Sequence, residues 1–136
     1  MTGRRGQSLI ELALCAPILM LLALGAAATV RVADARAGLE AATQAAAAAA
    51  ARAPDPSSAK IAAGQRFSSM TAAYPLHGAT LRLSLAGFNR AHAVVATSSG
   101  YVDIAWAALV FLPSRVTLES TSAVQIESWR SHRGLP

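Results

Sequence analysis

The most constraining feature of the sequence is an apolar run near its N-terminus. No charged residue occurs between Glu11 and Arg31. A helix crosses the hydrocarbon core of a bilayer in about 20 residues, at a rise of about 1.5 Å per residue. The run is therefore long enough to form a transmembrane helix. Arg4 and Arg5 precede it, and by the positive-inside rule they predict a cytoplasmic N-terminus and an extracytoplasmic C-terminal part.

A glycine and a single carboxylate mark the start of this run. Gly6 is followed by Gln7 and three further uncharged residues, and Glu11 then stands at the head of the apolar segment. An ionised carboxylate at membrane depth is expensive, so we interpret Glu11 as a functional position with a partner. The pattern from Gly6 to Leu14, followed by Pro17 and a leucine-rich run, resembles the N-terminal segment of TadE-like (TadE/TadF) pseudopilins of the Flp/Tad type IV pilus assembly system.

This resemblance implies a processing event and a role. A prepilin peptidase would cut after Gly6, so that Gln7 becomes the N-terminus and Glu11 the fifth residue of the mature chain. The chain would be a minor pseudopilin of Flp/Tad-type pili, held in the bacterial inner membrane by one helix with its C-terminal domain outside the cytoplasm. Its implied partners are the prepilin peptidase, other Tad pilins and pseudopilins, the inner-membrane assembly platform and membrane lipid, and it could also be incorporated in the pilus.

The physical task of Glu11 follows from its position. After cleavage, Gln7 carries a free α-ammonium group, and in a filament core this group can pair with Glu11 of another subunit. In a medium of low dielectric constant, leaving either charge alone costs several kcal/mol. The pair would therefore fix the register of the subunits. Pro17 removes one backbone donor inside the helix and is expected to kink or loosen it.

Three other interpretations of the N-terminus and the function stay open. A secretory signal peptide would use the small residues at Ala26–Ala28 for cleavage, although Glu11 and the length of the run disfavour it. A plain membrane anchor would leave Glu11 as an interfacial residue without a partner. The alternative function is a single-pass, membrane-anchored extracytoplasmic binding module that does not polymerise.

The sequence offers little support for catalysis, cofactor binding or nucleic-acid binding. His77, His92 and His132 lack metal-ligand spacing, and we expect neither a metal nor a cofactor. Glu119 and Glu127 lie on one strand face and are interpreted as solvated side chains. The formal net charge is +5, but no basic patch with interleaved aromatic residues occurs, so we expect no nucleic-acid partner. The single cysteine, Cys15, is interpreted as a packing residue in the apolar run.

The predicted fold class is α+β, with a long pilin-like N-terminal helix packed on a small antiparallel β-sheet and a second short helix between them. Behind the membrane segment, an apolar stripe with spacings of three and four predicts that the helix continues; it comprises Val32, Ala35, Leu39, Ala42, Ala46 and Ala49. The predicted segments are a leader (1–6), a transmembrane helix (7–30), its extracytoplasmic continuation (31–53), a linker and short helix (54–78), a β-sheet domain (79–128) and a tail (129–136).

Local signals predict the elements behind the long helix. Pro54 and Pro56 end that helix, and Asp55 is expected to cap a second helix with Pro56 at its first position. Four strands are expected from residue 79 onward, in an antiparallel meander. The second strand, His92–Thr97, is expected to turn at Ser98-Ser99-Gly100 into a third strand, which continues through Trp106 toward Leu112. The fourth strand, Val116–Glu127, is expected to turn its even positions toward the helix.

Overall fold

The computed structural model describes residues 3–86, 92–110 and 113–126. Two helices precede the sheet: α1 is Gly3–Arg52 and α2 is Pro56–Thr71. Three strands follow, with β1 at His77–Ser84, β2 at Ala93–Asp103 and β3 at Arg115–Gln125, and a 3-10 helix at Ala105–Val110 lies between the last two strands. The chain divides into two compact units, Met1–Ala33 and Asp34–Pro136. These elements confirm the predicted α+β class.

The part of α1 in the second unit buries one face made of small residues. Ala35, Leu39, Ala42 and Ala46 are at most 1% exposed, which confirms the centre of the predicted stripe. The two ends of the stripe, Val32 and Ala49, are half-buried. Alanine contributes little apolar area per residue but has the highest helix propensity, so this helix combines intrinsic stability with a surface that other elements can approach closely.

The second helix begins at the predicted cap. The Asp55 carboxylate accepts hydrogen bonds from the backbone N–H groups of Ser57 (3.0 Å) and Ser58 (2.9 Å) and from both serine hydroxyls. Pro56 occupies the first helical position, where its missing N–H leaves no hydrogen bond unmade. Further along α2, Ala59, Ala63 and Phe67 are buried. The helix ends at Thr71.

The cap makes the stability of α2 depend on pH. Hydrogen bonds from the Ser57 hydroxyl and from Ser58 lower the pKa of Asp55 from 3.8 to about 2. A carboxyl group whose pKa is lower in the folded state stabilises the fold above its unfolded pKa and loses that contribution as the pH falls through the folded value. We expect Asp55→Ala to lower the thermal midpoint of the detergent-solubilised chain at pH 7, and this difference to shrink as the pH falls from about 3.8 to about 2, in melts followed by circular dichroism.

The turn after α2 packs an aromatic ring directly on α1. A Cβ atom placed on Gly38 would lie 2.3 Å from Cγ of Tyr74, far inside van der Waals contact. Gly38 is buried in the middle of the helix, where glycine is intrinsically unfavourable. The close approach of the Tyr74 ring explains why glycine stands there.

This contact yields a matched pair of glycine substitutions. We expect Gly38→Ala to lower the free energy of unfolding by about 1–3 kcal/mol, because the Tyr74 ring must move out of its site. Gly64→Ala in α2 is the control, since no heavy atom lies within 4 Å of the added methyl group. That substitution should be neutral or stabilise the chain by up to about 1 kcal/mol through helix propensity. Denaturant titrations in detergent measure both, and equal effects would contradict the packing account.

The sheet has three strands in the order β1-β2-β3, and both pairs are antiparallel. The antiparallel meander is therefore confirmed for the described residues, but it has three strands there, whereas four were predicted. On β1, Leu81 and Leu83 are half-buried and alternate with exposed polar residues, as expected. On β3, the even positions from Val116 to Val124 face inward, also as expected.

Two predictions about the middle of the sheet are wrong. No turn occurs at Ser98-Ser99-Gly100, because these residues lie within β2, which runs without interruption from Ala93 to Asp103. The segment predicted to extend the third strand past Trp106 forms the 3-10 helix instead. Just before this short helix, the Ile104 N–H donates a backbone hydrogen bond to the Ser114 carbonyl (2.7 Å). The end of the predicted fourth strand at Glu127 lies outside the described residues.

Small residues in β2 explain the first of these differences. Ala96, Ser98 and Gly100 are buried on the inward face of the central strand. Within that face, the hydroxyl groups of Thr43 on α1 and Ser98 on β2 are 2.5 Å apart, and Thr43 donates to the Leu39 carbonyl (2.6 Å). Since the Thr43 proton is used on that carbonyl, Ser98 is the donor in the helix–sheet bond. Helix and sheet therefore meet through small side chains and one buried hydroxyl pair.

Candidate functional site

The first unit of the chain exposes an unusually apolar surface. One helix among the described residues, spanning Gly6–Arg52, is long and apolar enough to cross a membrane. Nine large apolar side chains of its N-terminal part are between 52% and 67% exposed: Leu9, Ile10, Leu12, Leu14, Ile18, Leu19, Met20, Leu21 and Leu22. In soluble proteins, an exposed apolar surface of this extent marks a site that interacts with a membrane or with another protein. Its length and its lack of charges match a bilayer span.

The predicted processing residues lie together at the start of this helix. Gly6, Gln7 and Glu11 all belong to α1 and are exposed. No heavy atom lies within 4 Å of a Cβ placed on Gly6, so packing in this chain does not require glycine at that position. Gln7 and Glu11 are four residues apart and share one helix face. Within the described part of the chain, no ion pair is formed by Glu11.

The middle of the apolar run contains three residues that bear on its behaviour in a membrane. Pro17 lies inside α1, and the helix continues through it. Pro17 cannot donate a backbone hydrogen bond to the Ala13 carbonyl, and the kink or loosening expected there stays a prediction. Cys15 is a free, exposed thiol. The Thr29 hydroxyl donates a hydrogen bond to the Gly25 carbonyl at 2.9 Å.

A polar groove in the second unit was not foreseen. It measures about 400 Å³ and lies between α1 and β3, where its lining residues are Arg36, Glu40, Gln44, Glu119, Ser120, Thr121 and Ser122. Arg36 and Glu40 form an i,i+4 ion pair, with 3.0 Å between Nε and Oε1. Their spacing along the helix was readable from the sequence, but the strand that faces them is distant in the chain.

In the described segments, four further titratable residues lie in pairwise contacts rather than in a catalytic cluster: His77, Tyr101, Asp103 and Arg115. Asp103 accepts from Arg115 at 3.2 Å, and the Arg115 guanidinium lies 4.2 Å from the centre of the Tyr101 ring. The His77 ring lies 5.9 Å from the same tyrosine, at the start of β1. No group of three or more His, Cys, Asp or Glu side chains in these segments could hold a metal ion. His132 and Glu127 lie outside the described residues.

Comparison with known proteins finds one segment that is similar to a family. The family model of TadE-like proteins matches residues 6–52, about a third of the chain. No curated protein and no solved structure matches the chain. The matched segment coincides with the part of α1 that runs from Gly6 to the end of the helix at Arg52. Over residues 6–52 the chain is therefore similar to TadE-like proteins, and this segment contains the membrane-type helix.

Proposed function

We propose that the chain is a minor pseudopilin that takes part in the assembly of Flp/Tad-type pili. The observation that carries the proposal is the TadE-like match to a helix whose apolar run begins at Glu11, an exposed carboxylate without an ion pair in the described part of the chain. A charge at the head of a membrane span calls for a partner. A free α-ammonium group on a neighbouring subunit is a partner of the right sign and position.

The proposed maturation begins in the inner membrane. The helix holds the precursor with Arg4 and Arg5 in the cytoplasm, in accordance with the positive-inside rule. A prepilin peptidase then cuts after Gly6 and releases Gln7 as the new N-terminus. Exposure of Gly6 and Gln7, and the absence of packing around Gly6, support access by a peptidase.

The proposed assembly step moves the apolar helix from lipid into contact with other pilins and the assembly platform. The exposed leucine-rich surface supports this exchange, since lipid chains and neighbouring apolar helices can both pack against it. Pairing of Glu11 with the α-ammonium of Gln7 on a second subunit sets the register of the two helices. The second unit, from Asp34 onward, stays outside the cytoplasm.

Deletion and complementation in the cells that produce the protein test this function. We expect cells that lack the chain to form few or no surface pili in electron micrographs, and the full-length chain to restore them. Normal piliation in the deletion strain, with the chain retained in the envelope, would overturn the proposal. That outcome favours an anchored binding module that does not polymerise.

A further inference from the structure

Both edges of the three-stranded sheet are open among the described residues. The strand order β1-β2-β3 leaves β1 and β3 each paired on one side only. Both are antiparallel to β2, so β1 and β3 run in the same direction. An open edge presents a row of backbone N–H and C=O groups that another strand can use. Two edges of equal direction allow one copy to add its β1 beside the β3 of another copy in parallel.

The exposed faces of the two edge strands carry opposite charges at their centres. On β1, Arg82 stands between Thr80 and Ser84, and on β3, Glu119 stands between Thr117 and Thr121. All six residues are exposed. Neither Arg82 nor Glu119 forms an ion pair within the segments that the structure describes. The two edges therefore present the same pattern, a charge flanked by two hydroxyl side chains, with opposite sign.

The inward-facing rows match in the same alignment. Within the sheet, Leu81 and Leu83 of β1 lie beside the small residues Ser98 and Ala96 of β2. On β3, the half-buried inward positions Ser120 and Ser122 are equally small, and they line the groove beside this edge. With Glu119 aligned to Arg82, an incoming β1 would place Leu83 beside Ser120, a small inward residue of the kind that it already meets at β2, and Leu81 beside Leu118.

We propose that β3 of one copy pairs in parallel with β1 of a second copy, with Glu119 opposite Arg82. In this register Thr117 lies beside Thr80 and Thr121 beside Ser84 on the outer face, and Leu118 lies beside Leu81 on the inner face. The contact is heterologous, so a pair of copies keeps one free edge at each end. Further copies can add at these edges, as a filament requires. The proposal rests on the assembly function proposed above.

Charges on edge strands ordinarily discourage pairing. Here the two edges differ in sign, so the combination of unlike edges brings opposite charges together, and directly opposed pairs of this kind stabilise a sheet. The charges therefore favour pairing of β1 with β3. They do not favour pairing of β1 with β1 or of β3 with β3.

Disulfide cross-linking of the full-length chain in the membranes of the producing cells tests the contact. In a Cys15→Ala background, Arg82→Cys and Glu119→Cys together should give a ladder of dimers, trimers and larger species on non-reducing gels after mild oxidation. Neighbouring strands bring Cα atoms within the roughly 4.4–6.8 Å that a disulfide spans. Each single cysteine variant should stay monomeric. A ladder missing from the double variant, or dimers from one cysteine alone, would overturn the proposal.

Charge exchange provides the second measurement, with Thr80→Cys and Thr117→Cys as the cross-linking pair. Arg82→Glu or Glu119→Arg alone should lower the cross-linked yield roughly threefold, and the two together should restore it. Equal yields in all variants would refute the role of these charges. Failure of the strand contact can be distinguished from failure of the proposed function. Piliation that persists in both single variants contradicts the strand contact alone. Normal piliation in cells that lack the chain contradicts the proposed function.

Discussion

Glu11→Ala is expected to leave cleavage after Gly6 intact and to remove the chain from the filament. In the proposed pairing, the substitution deletes the carboxylate that would neutralise the α-ammonium of Gln7 on a neighbouring subunit. Removing one member of a buried ion pair costs about 3–5 kcal/mol, because the other charge remains desolvated. Since about 1.4 kcal/mol corresponds to a tenfold change in an equilibrium, incorporation should fall by at least ~100-fold. Immunoblots of sheared pili against membranes measure the ratio.

Two variants make this prediction specific to the charge and its position. Glu11→Gln keeps the shape of the side chain but not its charge, so it should fail in the same way as Glu11→Ala. Glu40→Ala removes an exposed carboxylate from the same helix, where it pairs with Arg36 in open solvent. An exposed pair of this kind contributes about 0–1 kcal/mol, so this control should be incorporated normally. Normal incorporation of Glu11→Ala would contradict the proposed pairing.

Gly6→Leu is expected to stop maturation and to leave the precursor in the membrane with residues 1–6 attached. The fold supplies no reason for glycine at this position, because the space around its Cβ position is open. Any loss therefore reports on the peptidase, whose pocket must accept the residue before the cut. We expect the rate of cleavage to fall by at least ~10-fold, corresponding to a barrier higher by about 1.4 kcal/mol or more, so that most of the chain remains as precursor.

Gly25→Ala is the matched control for this experiment. Gly25 lies in the same helix and is equally open to an added methyl group, but it is far from the proposed cut. This variant should be processed as completely as the natural chain in membrane extracts separated on high-resolution gels. Complete processing of Gly6→Leu would contradict a cut that depends on Gly6.

Local sequence was sufficient for the helices. The absence of charge between Glu11 and Arg31, the cap at Asp55 and the spacing of Ala35, Leu39 and Ala42 each reflect interactions within a few residues along the chain. Such signals survive folding because no distant element has to be known in advance. The candidate positions Gly6 and Glu11 were readable for the same reason.

The centre of the sheet was less predictable because a distant helix decides its side chains. Ser98-Ser99-Gly100 has the composition of a turn, and this is how it was interpreted. In the fold, Ser98 and Gly100 are small because β2 lies against the alanine face of α1, where Ser98 bonds to Thr43. The contact of Tyr74 with Gly38 was not predicted either, because the two residues are distant in the chain. A period-two pattern around Trp106 likewise could not show that the segment leaves the sheet as a 3-10 helix.

The groove and the two sheet edges depend on the same long-range arrangement. The sequence contains Arg82 and Glu119 as two ordinary charges on separate predicted strands. Only the strand order places them on opposite edges, in strands of equal direction, with matching neighbours on both faces. Topology is therefore what turns the two charges into a candidate contact between copies.

The N-terminus of the mature chain tests the central claim most directly. Intact-mass and N-terminal peptide mass spectrometry of the protein, extracted from membranes of cells with an active prepilin peptidase, gives the first residue. The proposed maturation predicts a chain that begins at Gln7, with Glu11 as its fifth residue. A chain that still carries residues 1–6, or one that begins near Thr29 without the apolar run, would contradict it.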